Sequence, residues 1–162
     1  MGCAFDEIMT MNVVAKLLSV DDILLDIDVK NEEDFFENIA QFLEWRHGIN
    51  AALIHASLAA REELGSTGIG HHIAIPHTRL KGLTQTFGAF VRLRHGVDFD
   101  APDNQPVSMA LVLLVPEDFN KAHLAMLAAA AEMFADKRLR DALQQAGDVA
   151  EIHRVFTGWS DS

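Results

Sequence analysis

The residues of this chain with the most chemistry per position lie between Arg61 and Leu80, in the stretch REELGSTGIGHHIAIPHTRL. His77 closes the apolar run Ile73-Ala74-Ile75 and follows Pro76, whose fixed φ and effect on the preceding residue stiffen the backbone that carries the ring. An imidazole titrates close to neutral pH, so its neutral form offers one nitrogen as a nucleophile while the other donates a hydrogen bond that sets the tautomer. Upstream, Ser66, Thr67 and the backbone N–H groups of Gly68 and Gly70 make a run of small donors suited to an anion. Arg61 adds an always-charged guanidinium fork. On residue type alone each of these has a plain reading too. His77 is then an ordinary histidine, and Arg61 a helix-surface side chain paired with a carboxylate. His123 falls in the first turn of an expected helix, among N–H groups that favour anions, and reads equally as a water-exposed residue. His71 and His72 stand near His77, but no fourth Cys or carboxylate follows at metal-ligand spacing, so no metal site is expected.

These residues need a frame, and the patterning supplies one. Ile23 to Val29 alternates apolar residues with Asp, which predicts a half-buried strand with Ile23, Leu25, Ile27 and Val29 on one face. Asn31 caps an expected helix with an acidic first turn and a stripe of Phe35, Ile39, Phe42 and Leu43, ended by Gly48. A second helix runs from about Asn50 to Leu64, burying Leu53, Ile54, Leu58 and Ala60, with Gly65 just past its end. A short strand at Ile73 to Ile75 holds His77 just beyond it. Strands follow at Thr86 to Leu93 and at Val107 to Val115, the latter nearly all apolar and so covered on both faces. Pro102, Asp103, Asn104 and Pro106 make a turn-rich loop between them. After Pro116, Asp118 or Asn120 caps a helix over Lys121 to Ala135 with Leu124, Leu127, Ala128, Ala131 and Phe134 on its apolar side. Shorter helices are expected at Lys137 to Gln145 and Val149 to Phe156, the second capped by Asp148. Alternating strands and helices without repeats or linkers predict an α/β fold in a single domain, residues 13–162, with a small mixed β-sheet flanked by helices. Residues 1–12 carry no pattern and are expected to be poorly ordered.

Composition narrows the function. With 24 acidic and 13 basic side chains the formal net charge is −11, which lacks the basic footprint of a nucleic-acid binder. The charge reads as solubility or as an acidic face towards a basic partner. Cys3 is the single cysteine, so no internal disulfide forms, and a reducing compartment is the simplest assumption. The start MGCAFDEIMT has no signal-peptide pattern, and no run approaches a membrane span. A cytoplasmic location is expected.

The residues Arg61-Glu62, Gly65-Ser66-Thr67-Gly68-Ile69-Gly70 and Ile73-Ala74-Ile75-Pro76-His77 strongly resemble one family. It is the enzyme IIA proteins of the bacterial phosphoenolpyruvate-dependent phosphotransferase system, in the fructose/mannitol superfamily and its nitrogen-regulatory branch. Phe99-Asp100, Asp103 to Val107, Leu113 to Pro116 and Ala122-His123-Leu124 match as well, so the resemblance runs from about Leu18 to the end. It implies the same α/β fold and a phosphohistidine at His77, charged by an HPr-like phosphocarrier protein. Arg61 then stabilises the transition state, His123 sits beside the phosphoryl group without carrying it, and Ser66, Thr67, Gly68 and Gly70 form the phosphate-binding loop. Transfer of this kind asks for positioning and charge neutralisation, with no cofactor, metal or nucleotide. Downstream, the resemblance implies regulation of nitrogen-related metabolism or transport through phosphorylation-dependent binding of target proteins. The alternative is a sugar-specific IIA component handing the phosphoryl group to a IIB domain. A metal-dependent enzyme and a binding module that has lost transfer are the readings from other classes; the intact Arg61, His77 and His123 set argues against such a loss. His71 and His72, where relatives often have small or polar residues, and Thr78, commonly glycine, depart from the pattern.

Overall fold

The computed structural model describes residues 12–118 and 120–160. Among the described residues two compact units emerge, one of residues 24–118 and a second of residues 12–23 with residues 120–160. The first is built on a six-stranded mixed sheet. Its strands are β1 (Ile23–Ile27), β2 (Gly68–Gly70), β3 (Ile73–Ala74), β4 (His77–Leu80), β5 (Phe87–Val97) and β6 (Val107–Pro116). The order is β1-β5-β6-β3-β2, and β4 pairs with β6 further along the same edge as β3. β5 and β6 are antiparallel, whereas β3 and β4 both run parallel to β6. Pro76 interrupts what would otherwise be one strand. Its carbonyl still accepts from Leu113 N–H at 2.9 Å, so the chain resumes in register with His77 opposite Leu113.

Two helices, α1 (Val13–Leu17) aside, precede the edge strands: α2 (Glu32–His47) and α3 (Ala51–Glu63). Asn31 Oδ1 accepts from Asp34 N–H at 2.8 Å, and Glu32, Glu33 and Asp34 complement the positive end of α2, so the expected start of this helix is realised. Gly48, at φ 72°, ends it in the left-handed conformation. Phe35, Phe36, Ile39, Ala40 and Leu43 of α2 join Ile54 and Leu58 of α3 in a core with Ala89, Val91, Ala110, Val112 and Leu114 from one face of the sheet. β6 is apolar throughout because residues of both its faces are buried, Leu111 and Leu113 no less than Val112 and Leu114.

Several expectations on burial are corrected. Leu53 is 46% exposed and Ala60 is also at the surface, because α3 turns Ile54 and Leu58 inward, with Ala51 and Ala59 partly buried beside them. Phe36, absent from the expected stripe of α2, is fully buried; it meets Phe35 and Phe99 edge-on at 5.7 and 6.0 Å between ring centroids. In β1 the strict alternation fails. Asp26 takes a left-handed φ of 56°, so Leu24 and Ile27, not Leu25 and Ile27, pack on the core, and the strand ends at Ile27. Arg92, 6% exposed, draws Asp26 into that conformation through two hydrogen bonds of 3.1 and 3.2 Å.

The second unit is helical among the described residues: α1, a 3₁₀ turn at Val20–Asp22, α4 (Lys121–Ala135), α5 (Lys137–Gln145) and α6 (Val149–Gly158). Asn12 caps α1 through Oδ1 and donates from Nδ2 to the carbonyls of Phe156 and Trp159, which ties the first helix to the last. The rest of the expected disordered segment, residues 1–11, lies outside the described residues. Asp136 serves twice, capping Arg138 N–H at 2.9 Å and accepting from Trp159 Nε1 at 3.0 Å. The buried face of α4 is Ala130, Met133 and Phe134, while Leu124 is 55% exposed and Ala128 and Ala131 face water. The apolar stripe is rotated by about one residue from the expected one, since an Ala- and Leu-rich helix offers more than one possible seam. No helix among the described residues is long and apolar enough to cross a membrane.

Candidate functional site: the histidine at the head of β4

The site grows from a hairpin that sequence reading left as a loop. Gly68–Gly70 is itself a strand, pairing antiparallel with β3, Gly70 opposite Ile73. The two residues between them, His71 and His72, both take left-handed φ values, 57° and 67°. That is the geometry of a type I′ two-residue turn, whose twist matches the flanking strands but which asparagine and glycine adopt far more readily than histidine. Its tip is pinned from outside. Asp103 Oδ2 accepts from His71 N–H at 3.1 Å, and His72 Nδ1 donates to Pro106 O at 2.8 Å. Both imidazoles are exposed, and among the described residues no group of three or more His, Cys, Asp or Glu side chains is arranged to hold a metal ion.

His77 is the first residue of β4 rather than a residue beyond a strand, so pairing with β6 as well as Pro76 holds its backbone. Its half-buried ring makes one bond, Nδ1 to Ile75 O at 2.7 Å. A carbonyl oxygen only accepts, so Nδ1 carries the proton and Nε2 is left with the lone pair. The pKa of the ring lies below the usual histidine value. Burial is the main cause and the Arg61 guanidinium adds to it, against the opposing pull of the Ile75 bond and of Glu62. His77 is thus held neutral, in one tautomer, with a nucleophilic Nε2.

Of the expected partners, Arg61 lies near enough to act on the charge of the ring, and Thr67 is joined to it through Ile75. Arg61, in the last turn of α3, is partly exposed and donates from one guanidinium nitrogen to Gly65 O at 2.8 Å. The loop that follows is internally bonded. Ser66 Oγ donates to Phe99 O and accepts from Gly68 N–H, while Thr67, only 5% exposed, gives both its N–H and its hydroxyl to the two carboxylate oxygens of Glu62 at 2.9 and 2.7 Å. The hydroxyl protons of Ser66 and Thr67 are therefore engaged within the loop. Gly68 has to be glycine, because a Cβ there would meet the Ala101 side chain at 2.9 Å and Ala101 Cα at 3.1 Å. Gly70, at φ 88°, turns the chain into the hairpin.

His123 belongs to the second unit. It is the third residue of α4, where Asn120 Oδ1 accepts from the N–H groups of Ala122 and His123 and Asn120 N–H points back at His123 Nδ1 at 3.4 Å. Acting as an acceptor there, Nδ1 is unprotonated and the neutral ring carries its proton on Nε2, the opposite tautomer to His77.

Glu62 is the residue of the site that sequence reading passed over. It was visible only as the neighbour of Arg61, and nothing in its spacing announces that its carboxylate reaches Thr67 five positions on. Glu62 in turn acts on the charge of Glu32. Glu32 opens α2, and burial together with the charges of Glu62, Asp100, Asp98 and Glu33 pushes its pKa up to about 7. Four residues of that acidic group are scattered over the sequence between position 33 and position 100, so only folding assembles them.

Residues 16–158 match the model of the family described as "Phosphoenolpyruvate-dependent sugar phosphotransferase system, EIIA 2". The chain belongs to this family. Among EIIA 2 relatives, the nitrogen regulatory protein of Klebsiella oxytoca is 36% identical over 132 residues, 81% of this chain and 82% of that one. The crystal structure of nitrogen regulatory protein IIA-Ntr from Neisseria meningitidis is 38% identical and superposes with a TM-score of 0.84, covering 90% of this chain and 99% of the other. IIA mannitol from Escherichia coli shares the α/β EIIA 2 fold at 19% identity, with a TM-score of 0.72 over 86% of this chain and 98% of the other. Fold class and resemblance to the nitrogen-regulatory branch are both borne out by these matches.

Proposed function

We propose that this EIIA 2 protein is a phosphoryl carrier of regulatory type, with Nε2 of His77 as the acceptor. The observation that carries the reading is the 2.7 Å bond from Nδ1 to Ile75 O, which makes Nε2 the lone-pair nitrogen of a ring biased to the neutral form. The donor is the phosphohistidine of an HPr-like phosphocarrier protein. As Nε2 attacks in line, its lone pair forms the new N–P bond, the N–P bond to the carrier breaks, and the carrier's imidazole leaves with that electron pair. The Nδ1 proton stays on His77, and the Ile75 carbonyl stabilises the positive charge that develops on the ring. Arg61 exchanges its Gly65 bond for the phosphoryl oxygens and neutralises their charge. His123 offers an Nε2–H donor to the phosphoryl group. The Ser66 hydroxyl, the Thr67 N–H and hydroxyl and the Gly68 N–H are already bonded, so the loop of Ser66, Thr67, Gly68 and Gly70 contributes a fixed backbone rather than these donors.

The output is regulation of nitrogen-related metabolism or transport. About two negative charges added at His77 change which partner binds the surrounding face. Relatives named as nitrogen regulatory proteins, at 30–42% identity, support this over onward transfer to a IIB domain.

The test is intact mass after incubation with phosphoenolpyruvate, the first enzyme of the system and its phosphocarrier, beside His77→Ala. One acid-labile phosphoryl group on the wild type and none on the variant is the expected result. No gain with a cognate carrier would reduce the protein to a binding module, and rapid transfer to a IIB domain would favour the transport role.

A further inference from the structure

We infer that Glu62 is a positioning residue for His77, setting the orientation and tautomer of the imidazole through Thr67 and Ile75. The connection is a continuous chain of hydrogen bonds. Glu62 Oε1 accepts from Thr67 N–H at 2.9 Å and Oε2 from Thr67 Oγ1 at 2.7 Å. Thr67 O accepts from Ile75 N–H at 3.0 Å, and Ile75 O accepts from His77 Nδ1–H at 2.7 Å. Each link has a donor and an acceptor of fixed type, so the sequence of bonds has one direction and no ambiguity of protonation apart from the ring it ends on.

The physical need for a carboxylate follows from Thr67. Its N–H and hydroxyl are two donors on a residue only 5% exposed, and they converge on one side chain. An ionised carboxylate accepts both at once in the bidentate manner; charge-assisted bonds of this kind are about twice as strong as neutral ones. Without it, two shielded donors are left unmet, and the loop must shift to find water. That shift moves Thr67 O, which accepts from Ile75 N–H. On the far side of Ile75 the chain is pinned independently by the bond from Leu113 N–H to Pro76 O. The Ile75 peptide therefore pivots about Pro76, and its carbonyl is the group that fixes the His77 ring. Glu62 also opposes the effect of Arg61 on the charge of the ring, so neighbouring residues of one helix turn balance each other at the same imidazole.

The catalytic side of the inference rests on reading His77 as the phosphoryl acceptor; the conformational side does not, and the experiment keeps the two apart. In the full-length chain, ¹⁵N NMR of the His77 ring above its pKa reads the tautomer without any phosphoryl donor. The wild type shows Nδ1 protonated and Nε2 bare. Glu62→Gln, which keeps the shape but faces one Thr67 donor with an NH₂ group, is expected to show a mixture of tautomers. With the phosphocarrier as donor, its kcat falls about 10- to 100-fold while KM for the carrier is unchanged, the cost typical of a slightly misplaced reacting group. Thr67→Val, which removes the hydroxyl link and keeps the N–H, shifts both readouts the same way by less. A wild-type tautomer and kcat in Glu62→Gln overturn the inference. If Glu62→Gln does not fold, Thr67→Val decides, and an unchanged tautomer in it overturns the inference. A wild type that takes up no phosphoryl group defeats the functional reading alone, because the tautomer measurement still stands or falls by itself.

Discussion

A histidine becomes a nucleophile by being kept neutral and held in one tautomer; at His77 the tautomer comes from a backbone carbonyl, and neutrality from burial with the Arg61 charge beside it. The Ile75 carbonyl fixes the proton on Nδ1, and partial burial disfavours the charged ring. The sign of the pH effect follows. With a folded pKa below the unfolded value of 6.5, the ring stays neutral at pH values where a solvent-exposed imidazole is half protonated, and the protein loses stability as pH falls through that window. We expect the His77 ring resonances to titrate with a midpoint below 6.5 and the rate of phosphoryl acceptance to persist at pH 6.5. A midpoint at or above that value would mean that burial does not govern the ring. Phosphorylation should reverse the preference, since the added negative charge stabilises a protonated ring.

At the scale of elements, the β2–β3 hairpin is the least comfortable part of the site. Both residues of its turn are histidines in the left-handed region, where an L-residue with a Cβ is disfavoured by roughly 1–2 kcal/mol. The turn persists because Asp103 holds the His71 amide and Pro106 the His72 ring. Replacing the pair by the turn's preferred residues, His71→Asn with His72→Gly, is expected to stabilise the protein by about 1 kcal/mol, the relief of strain exceeding the lost Pro106 bond. Urea denaturation measures it. A destabilised double variant would show that the His72 bond outweighs the strain. The caps and breaks of the helices, by contrast, were legible in the sequence. Asn31, Asp148 and, of the two candidates Asp118 and Asn120, Asn120 cap the helices that follow them, because the cap is a local bond between a short side chain and a backbone N–H two or three residues on; Asn50, read only as the start of its helix, caps α3 in the same way. The hairpin was not legible, since β2 contains two glycines and its turn two residues that seldom form one.

Across the whole molecule the excess of acid over base, 24 against 13 side chains, is felt at Glu32, whose pKa is raised first by burial and then by the charges of Glu62, Asp100, Asp98 and Glu33. Its folded pKa of about 7 exceeds the ordinary 4.5, so across that interval the folded protein holds a proton that the unfolded chain has released. Stability therefore falls as pH rises from 4.5 to about 7 and the penalty is complete above it. The full shift would correspond to about 3 kcal/mol, and solvent screening of a partly exposed group reduces this to about 1–2 kcal/mol. Glu32→Gln is expected to gain that amount at pH 8, to gain little at pH 4.5, and so to flatten the pH dependence of the melting temperature. An equal effect at both values would mean that Glu32 is ionised throughout.

What the sequence by itself determined is what depends on neighbours along the chain: helix limits and their caps, the apolar central strand β6, the stop at Pro76, and the motif that carries His77 with its family. Tertiary structure decided what depends on neighbours across space. It chose which seam of α4 is buried, broke the alternation of β1 by drawing Asp26 to Arg92, and gathered Glu32, Glu62, Asp98 and Asp100 into one field. It also joined Glu62, Thr67, Ile75 and His77 into a single chain of bonds. The physical reason is that a carboxylate or a carbonyl acts over a few ångströms whatever its distance in sequence, and only the packed core sets those ångströms.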